Sequence, residues 1–155
     1  MMRISIIGAG HVGLVTGACL AEMGHRVLCV DVDPTKVGAI NRGDCPFFEK
    51  GLIEFLRNNL GSRLKATTDL RGAVLETDLT FVAVGTPFDG RGIDLTYIKE
   101  AANQIGQALR AKSAYHVVVV KSTVVPGTTD RVVLPILEQA SGKKAGAYFI
   151  SRSIV

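Results

Sequence analysis

The sequence has no hydrophobic run long enough to cross a membrane. Its apolar stretches are four to six residues long, against roughly 18 to 20 for a helical span, and none carries the pattern of a secretory signal. A soluble, cytoplasmic protein without a membrane partner is the expectation. Tryptophan is absent and aromatics make up only 6% of the 155 residues, yet 47% are hydrophobic. That is enough to bury one core of ordinary size, and one domain is the natural count. Cysteine is scarce: Cys19, Cys29 and Cys45 are odd in number, and none forms a CxxC pair or joins a histidine at metal-ligand spacing. Disulfides and a metal site are therefore not expected, and the cysteines read as small buried hydrophobes, with Cys45 in a loop.

No stripe of one charge is present either. The formal charge is +4, but lysines and arginines are scattered in ones and twos instead of following a phosphate backbone, so no nucleic-acid partner is expected. No repeat and no low-complexity segment interrupts the chain.

What is present is alternation. Arg3 to Ile7, Arg26 to Val30, Leu64 to Thr67, Leu79 to Val84, Val117 to Val120 and Tyr148 to Ile150 read as strands, most of them apolar runs of the kind buried on both faces. Between them, His11 to Met23, Asp33 to Asn41, Gly51 to Leu60, Asp69 to Glu76, Asp94 to Lys112 and Gly127 to Gln139 read as helices, and Gly43 to Lys50 as a loop. Six strands separated by helices require a mostly parallel sheet covered on both faces, and the order 3-2-1-4-5-6 is the expectation.

Gly8-Ala9-Gly10-His11-Val12-Gly13 directly follows the first strand and opens the first helix. In that context GxGxxG is the dinucleotide fingerprint of an α/β Rossmann fold. Gly8 allows the tight turn, Gly10 lets the backbone approach a pyrophosphate, and Gly13 permits close helix packing. The free N–H groups and positive dipole of the helix N-terminus complete the anion seat. Asp31 ends the second strand, about 20 residues on, where a carboxylate accepts hydrogen bonds from the adenosine ribose. Its charge opposes a 2'-phosphate, so NAD is expected over NADP; the fingerprint alone leaves FAD open. Lys36 either touches the ribose or is a solvated lysine beside the capping Asp33.

Three further segments resemble the UDP-glucose/GDP-mannose dehydrogenase family, over Met1 to about Ile150. They are Asn41 to Leu52, with its Gly, Pro, Glu and Gly-Leu; Val84-Gly85-Thr86-Pro87 followed by Asp94-Leu95-Thr96-Tyr97-Ile98; and Lys121-Ser122-Thr123-Val124-Val125-Pro126-Gly127-Thr128. The last two fall at the carboxyl ends of strands four and five, on the expected cofactor face. By resemblance, Gly85, Thr86, Pro87, Ser122 and Thr123 join the cofactor site, and Thr123 assists catalysis by helping to hold a water near the nicotinamide. Helix capping by Ser122 or Thr128 is the alternative. His11 stands where the family usually has tyrosine. His11, His25 and His116 show no acid or nucleophile partner and read as structural or solvated.

The resemblance implies a nucleotide-sugar 6-dehydrogenase that oxidises a sugar C6 alcohol to a carboxylate with two NAD, through a cysteine nucleophile assisted by Glu and Lys. None of the three cysteines matches that motif, so the nucleophile is expected outside this chain. Residues 1–155 then form one NAD-binding domain, without the family's central dimerisation helix and substrate domain, able to bind NAD but not to turn over. A homo-oligomeric family and a nucleotide-sugar substrate bound through a missing or separate domain follow from the same resemblance. The Val-Pro-Gly-Thr order and Ser141 to Gly146 lean toward the GDP-mannose branch. A stand-alone NAD sensor, or one module of a split complex, is the other reading.

Overall fold

In a computed structural model describing residues 1–154, six parallel strands form one sheet in the order β3-β2-β1-β4-β5-β6. The strands are β1 (Arg3–Ile7), β2 (Arg26–Val30), β3 (Leu64–Thr67), β4 (Leu79–Val82), β5 (His116–Val120) and β6 (Phe149–Ser153). The helices are α1 (His11–Glu22), α2 (Pro34–Asn41), α3 (Leu52–Asn59), α4 (Leu70–Glu76), α5 (Thr96–Ala111) and α6 (Leu134–Ser141). Alternate residues of each strand enter opposite cores. Ile4, Ile6, Val27, Cys29, Leu64 and Ala66 pack with Leu14, Ala18 and Leu56 of α1 and α3. Ile7, Val30, Val82, Val118 and Val120 pack with Val74, Ile98, Ile105 and Leu137 of α4, α5 and α6.

The expected order therefore holds, with four local differences. Pairing of β4 with β5 ends at Val82 and Val120, because the Val84 carbonyl accepts the Ser122 hydroxyl (2.7 Å). The helix expected from Gly127 opens instead as a π-helical turn, Thr129–Val133, before α6. Pro135 lies at the start of α6 and has no N–H to donate back four residues, so the ladder widens there. Strand β6 runs on to Ser153 because backbone pairing with β5, and not apolar content, defines an edge strand. Cys19 is exposed on α1, contrary to its reading as a buried hydrophobe, whereas Cys29 is buried.

One polar chain crosses the buried sheet. Ser5 and Thr80 are level on β1 and β4, and their hydroxyls lie 2.7 Å apart. Thr77 Oγ1 donates to the Ala73 carbonyl (2.8 Å) and lies 3.0 Å from Ser5 Oγ. His116 Nε2 closes the line 2.8 Å from Thr80 Oγ1. The direction of the protons between Ser5, Thr80 and His116 follows the tautomer of the imidazole. His116 Nδ1 is buried without a hydrogen-bond partner among the described residues. Lys112, nearby, donates to the carbonyls of Val74 (2.7 Å), Leu75 (3.2 Å) and Thr77, capping the end of α4.

Burial, reinforced by the Lys112 charge, lowers the His116 pKa to about 4. The unfolded chain takes up this proton near pH 6.5, so the unfolded state binds more protons between those values and stability falls with pH. The expected loss from His116 between about pH 6.5 and 4 is on the order of 3 kcal/mol. Urea unfolding across this range should show the slope in the wild type and a flatter one in His116→Gln. Equal slopes would remove His116 as the cause.

Candidate cofactor site

The first loop is built on backbone proximity. Gly8 adopts φ +101°, and its N–H donates to the Val30 carbonyl (2.8 Å). A Cβ at Gly8 would lie 2.6 Å from the Ala83 oxygen, and one at Gly13 only 1.8 Å from the Gly8 oxygen. Further along α1, a Cβ at Gly17 would meet Cys29 Sγ at 2.8 Å, so α1 lies directly on the sheet. Gly10 is different. Its φ of −75° suits any residue, and a Cβ there meets no protein atom within 4 Å. The open space at Gly10 belongs to the cleft it lines.

The α1 ladder begins with Leu14 N–H bonding to the Gly10 carbonyl (2.9 Å), which leaves the N–H groups of His11, Val12 and Gly13 at the free end of the helix. Across the cleft, Asp31 binds the glycine loop itself. Its Oδ2 accepts from Ala9 N–H (2.9 Å) and Lys36 Nζ (3.0 Å), and its Oδ1 from Asp33 N–H (3.1 Å). Burial pushes the Asp31 pKa up, but the hydrogen bonds from Asp33, Lys36 and Ala9 outweigh it and the net value is lowered. Asp31 is thus charged at neutral pH. Its stabilising contribution is complete above the ordinary carboxylate range and is lost as pH falls through the lowered folded value. Asp33 caps α2, accepting from Thr35 N–H (2.9 Å) and Lys36 N–H (3.4 Å).

The cleft, of about 340 Å³, lies where the strand order reverses between β1 and β4, and it brings together Gly8, Gly10, Asp31, Lys36 and Gly85. Further residues of its wall were not read as site residues in the sequence: Val32 and Thr68, and Tyr97, Glu100 and Gln104 of α5. The spacing of those three puts them on one face of a helix, but a polar helix face reads equally as solvent. An NAD-like ligand fits this donor set: a side-chain-free approach at Gly10, free N–H groups for a pyrophosphate and a charged carboxylate for ribose hydroxyls.

Thr86, Pro87, Ser122 and Thr123 do not line the cleft but form the adjoining loops. Thr86 Oγ1 donates to the Thr123 carbonyl (2.7 Å), joining the segments after β4 and β5, while Ser122 is buried and holds Val84. Neither helix-capping alternative is seen, since Ser122 binds the strand end and Thr128 Oγ1 donates to the Val125 carbonyl (2.7 Å). His11 corrects the expectation that no histidine has an acid partner. Its Nε2 lies 3.0 Å from Glu49 Oε2 and its ring stacks on Phe47 at 4.6 Å, fastening the Gly43 to Lys50 loop across the start of α1.

Two substitutions separate folding from binding. Gly10→Val should fold with wild-type urea stability yet lose NAD binding, whereas Gly13→Ala should cost at least about 3 kcal/mol of stability, because the clash is with backbone. Asp31→Ala should weaken NAD by about ten- to a hundredfold, the worth of hydrogen bonds to a charged group. Calorimetric titration of each folded variant checks both; normal NAD binding by Gly10→Val would place the ligand elsewhere.

Comparison with known proteins agrees with this geometry. Residues 2–153 match the model for the UDP-glucose/GDP-mannose dehydrogenase family, NAD binding domain. The chain is 49% identical to GDP-mannose 6-dehydrogenase of Pseudomonas aeruginosa over 150 residues, covering 96% of this chain and 34% of the relative. It is 48% identical to UDP-glucose 6-dehydrogenase AglM of Haloferax volcanii over 146 residues, covering 94% and 34%. Among solved structures, a ternary complex of GDP-mannose dehydrogenase from Pseudomonas aeruginosa superposes with a TM-score of 0.95 at 47% identity, covering 98% of this chain and 35% of that one. The chain thus spans about a third of the length of these relatives. By motif, fold and sequence, it belongs to the UDP-glucose/GDP-mannose dehydrogenase family, whose NAD-binding domain it matches.

Proposed function

We propose that this chain supplies the NAD site of a nucleotide-sugar 6-dehydrogenase, which oxidises the C6 alcohol of a sugar in the class of GDP-mannose or UDP-glucose to a carboxylate. The observation that carries the reading is the cleft in which the free end of α1, the open approach at Gly10 and the Asp31 carboxylate converge. In this reading Gly8, Gly10, His11, Val12 and Gly13 hold the pyrophosphate, and Asp31 and Lys36 the adenosine ribose. Gly85, Thr86, Pro87, Ser122 and Thr123 shape the nicotinamide end, and Thr123 assists the chemistry there.

Oxidation of an alcohol to a carboxylate removes two hydrides and consumes one water. Bound NAD supplies the hydride acceptor. Capture of the intermediate aldehyde needs a nucleophile facing the cofactor, and none of the three cysteines lines the cleft. Cys19 is exposed on α1, Cys29 is buried with its thiol pushed up to about 12 by desolvation, and Cys45 donates to the Phe47 carbonyl. The nucleophile and most of the sugar recognition therefore belong to a region outside these residues, and residues 1–155 act as the cofactor domain. The similarity to both GDP-mannose and UDP-glucose enzymes supports the substrate class.

Thermal unfolding with added dinucleotide tests the cofactor assignment. NAD at about a hundred times its Kd should add about 2.7 kcal/mol, with NADP protecting clearly less because Asp31 repels a 2'-phosphate. Equal protection by the two would overturn the role given to Asp31. With GDP-mannose or UDP-glucose, the 155-residue chain should yield no steady NADH; sustained production with either sugar would refute the division of labour.

A further inference from the structure

A second cleft, of about 260 Å³, opens at the other end of the sheet, among the first residues of β1, β2 and β3. Strand register builds it. Arg3 is level with Arg26, and Val27 with Leu64, while Val27 N–H donates to the Arg63 carbonyl (2.7 Å). Level residues of neighbouring parallel strands point to the same face about 4.8 Å apart, so Arg3 and Arg26 lie side by side, with Arg63 in the turn just before β3. Lys65 of β3 shares the face of Arg3 and Arg26. Leu64 and Ala66 of β3 are buried on the side covered by α1 and α3, whereas Lys65 is exposed on the other.

Like charges held side by side repel unless something neutralises them. Arg3 is neutralised, through Nη2 to Asp78 Oδ1 (2.6 Å) and Nε to Asp78 Oδ2 (3.1 Å). Arg63 Nε donates to Asn59 Oδ1 (2.9 Å), whose amide in turn donates to Glu22 Oε2 (2.6 Å), so this guanidinium is drawn toward α3 and α1. Arg26 and Lys65 form no ion pair among the described residues. The facing wall, from the end of α4, brings a single carboxylate, Glu76. Positive charge is therefore in excess around a concave space whose floor includes Val27, Leu28 and Leu64.

We infer that this cleft is an anion site for a small molecule carrying two or more phosphate or carboxylate charges. Arg26 supplies a guanidinium able to bind such a group in bidentate fashion, and Lys65 a second positive charge. The volume lies just below the range usual for cofactor-sized ligands, about 300–1,000 Å³, which favours a compact polyanion over a dinucleotide. Its position at the amino ends of the strands sets it apart from the NAD cleft at their carboxyl ends, so the two sites are separable by experiment.

The probe is inorganic pyrophosphate, titrated calorimetrically into the chain saturated with NAD so that the seat at α1 is already filled. Saturable binding is expected, and the Arg26→Ala/Lys65→Ala double variant should weaken it by at least about tenfold while binding NAD as the wild type does. Lys99→Ala/Lys144→Ala removes the same charge from outside the cleft and should leave pyrophosphate affinity unchanged. Three results would overturn the site: no saturable heat with the wild type, undiminished affinity in Arg26→Ala/Lys65→Ala, or the same loss in both double variants, which is general attraction only.

Discussion

Helix α1 can leave strand β1 at its observed angle because Gly13 brings no side chain. A Cβ there would sit 1.8 Å from the Gly8 carbonyl oxygen, inside any tolerable contact distance, and relief would require the helix to lift from the sheet. Much follows from that approach. It sets the free end of α1 beside the carboxyl ends of β1 and β4, where the strand order reverses, and it turns backbone N–H groups toward the cleft as a fixed positive seat. Gly17 continues the same contact against Cys29, so the helix is held along its length and not merely at its tip.

Asp31 makes the second half of the arrangement dependent on the first. Its carboxylate is not simply a waiting acceptor for a ribose: it already ties β2 to the glycine loop through Ala9 N–H and holds Lys36 at 3.0 Å. The charge proposed to select among dinucleotides is thus the charge that locks the loop in place. At the amino ends of the strands, the hydroxyl line from Thr77 to His116 links β1, β4 and β5, and Lys112 fastens the end of α5 to the end of α4.

The sheet order and the glycine loop were legible in the sequence because each rests on a local rule: buried parallel strands need unbroken apolar runs, and backbone approach needs glycine. Asp31 was legible because the strand before it ends at a fixed distance from the glycines. Tyr97, Glu100 and Gln104 were not, since only the packing of α5 against the sheet decides whether a polar helix face meets a cleft or water. The His11–Glu49 pair was hidden for a related reason, because it depends on how the loop from Gly43 folds back over α1. The π-helical turn before Pro135 and the polar end of β6 were missed because helix phase and edge pairing are tertiary outcomes.

A nuclear magnetic resonance titration of the backbone amides with NAD tests the proposed seat most directly. The amides of Ala9, Gly10, His11, Val12 and Gly13 should show the largest saturable shifts, accompanied by Val32 and Gly85 across the cleft. Saturable binding that left the Ala9 to Gly13 amides unmoved while shifting residues elsewhere would contradict it.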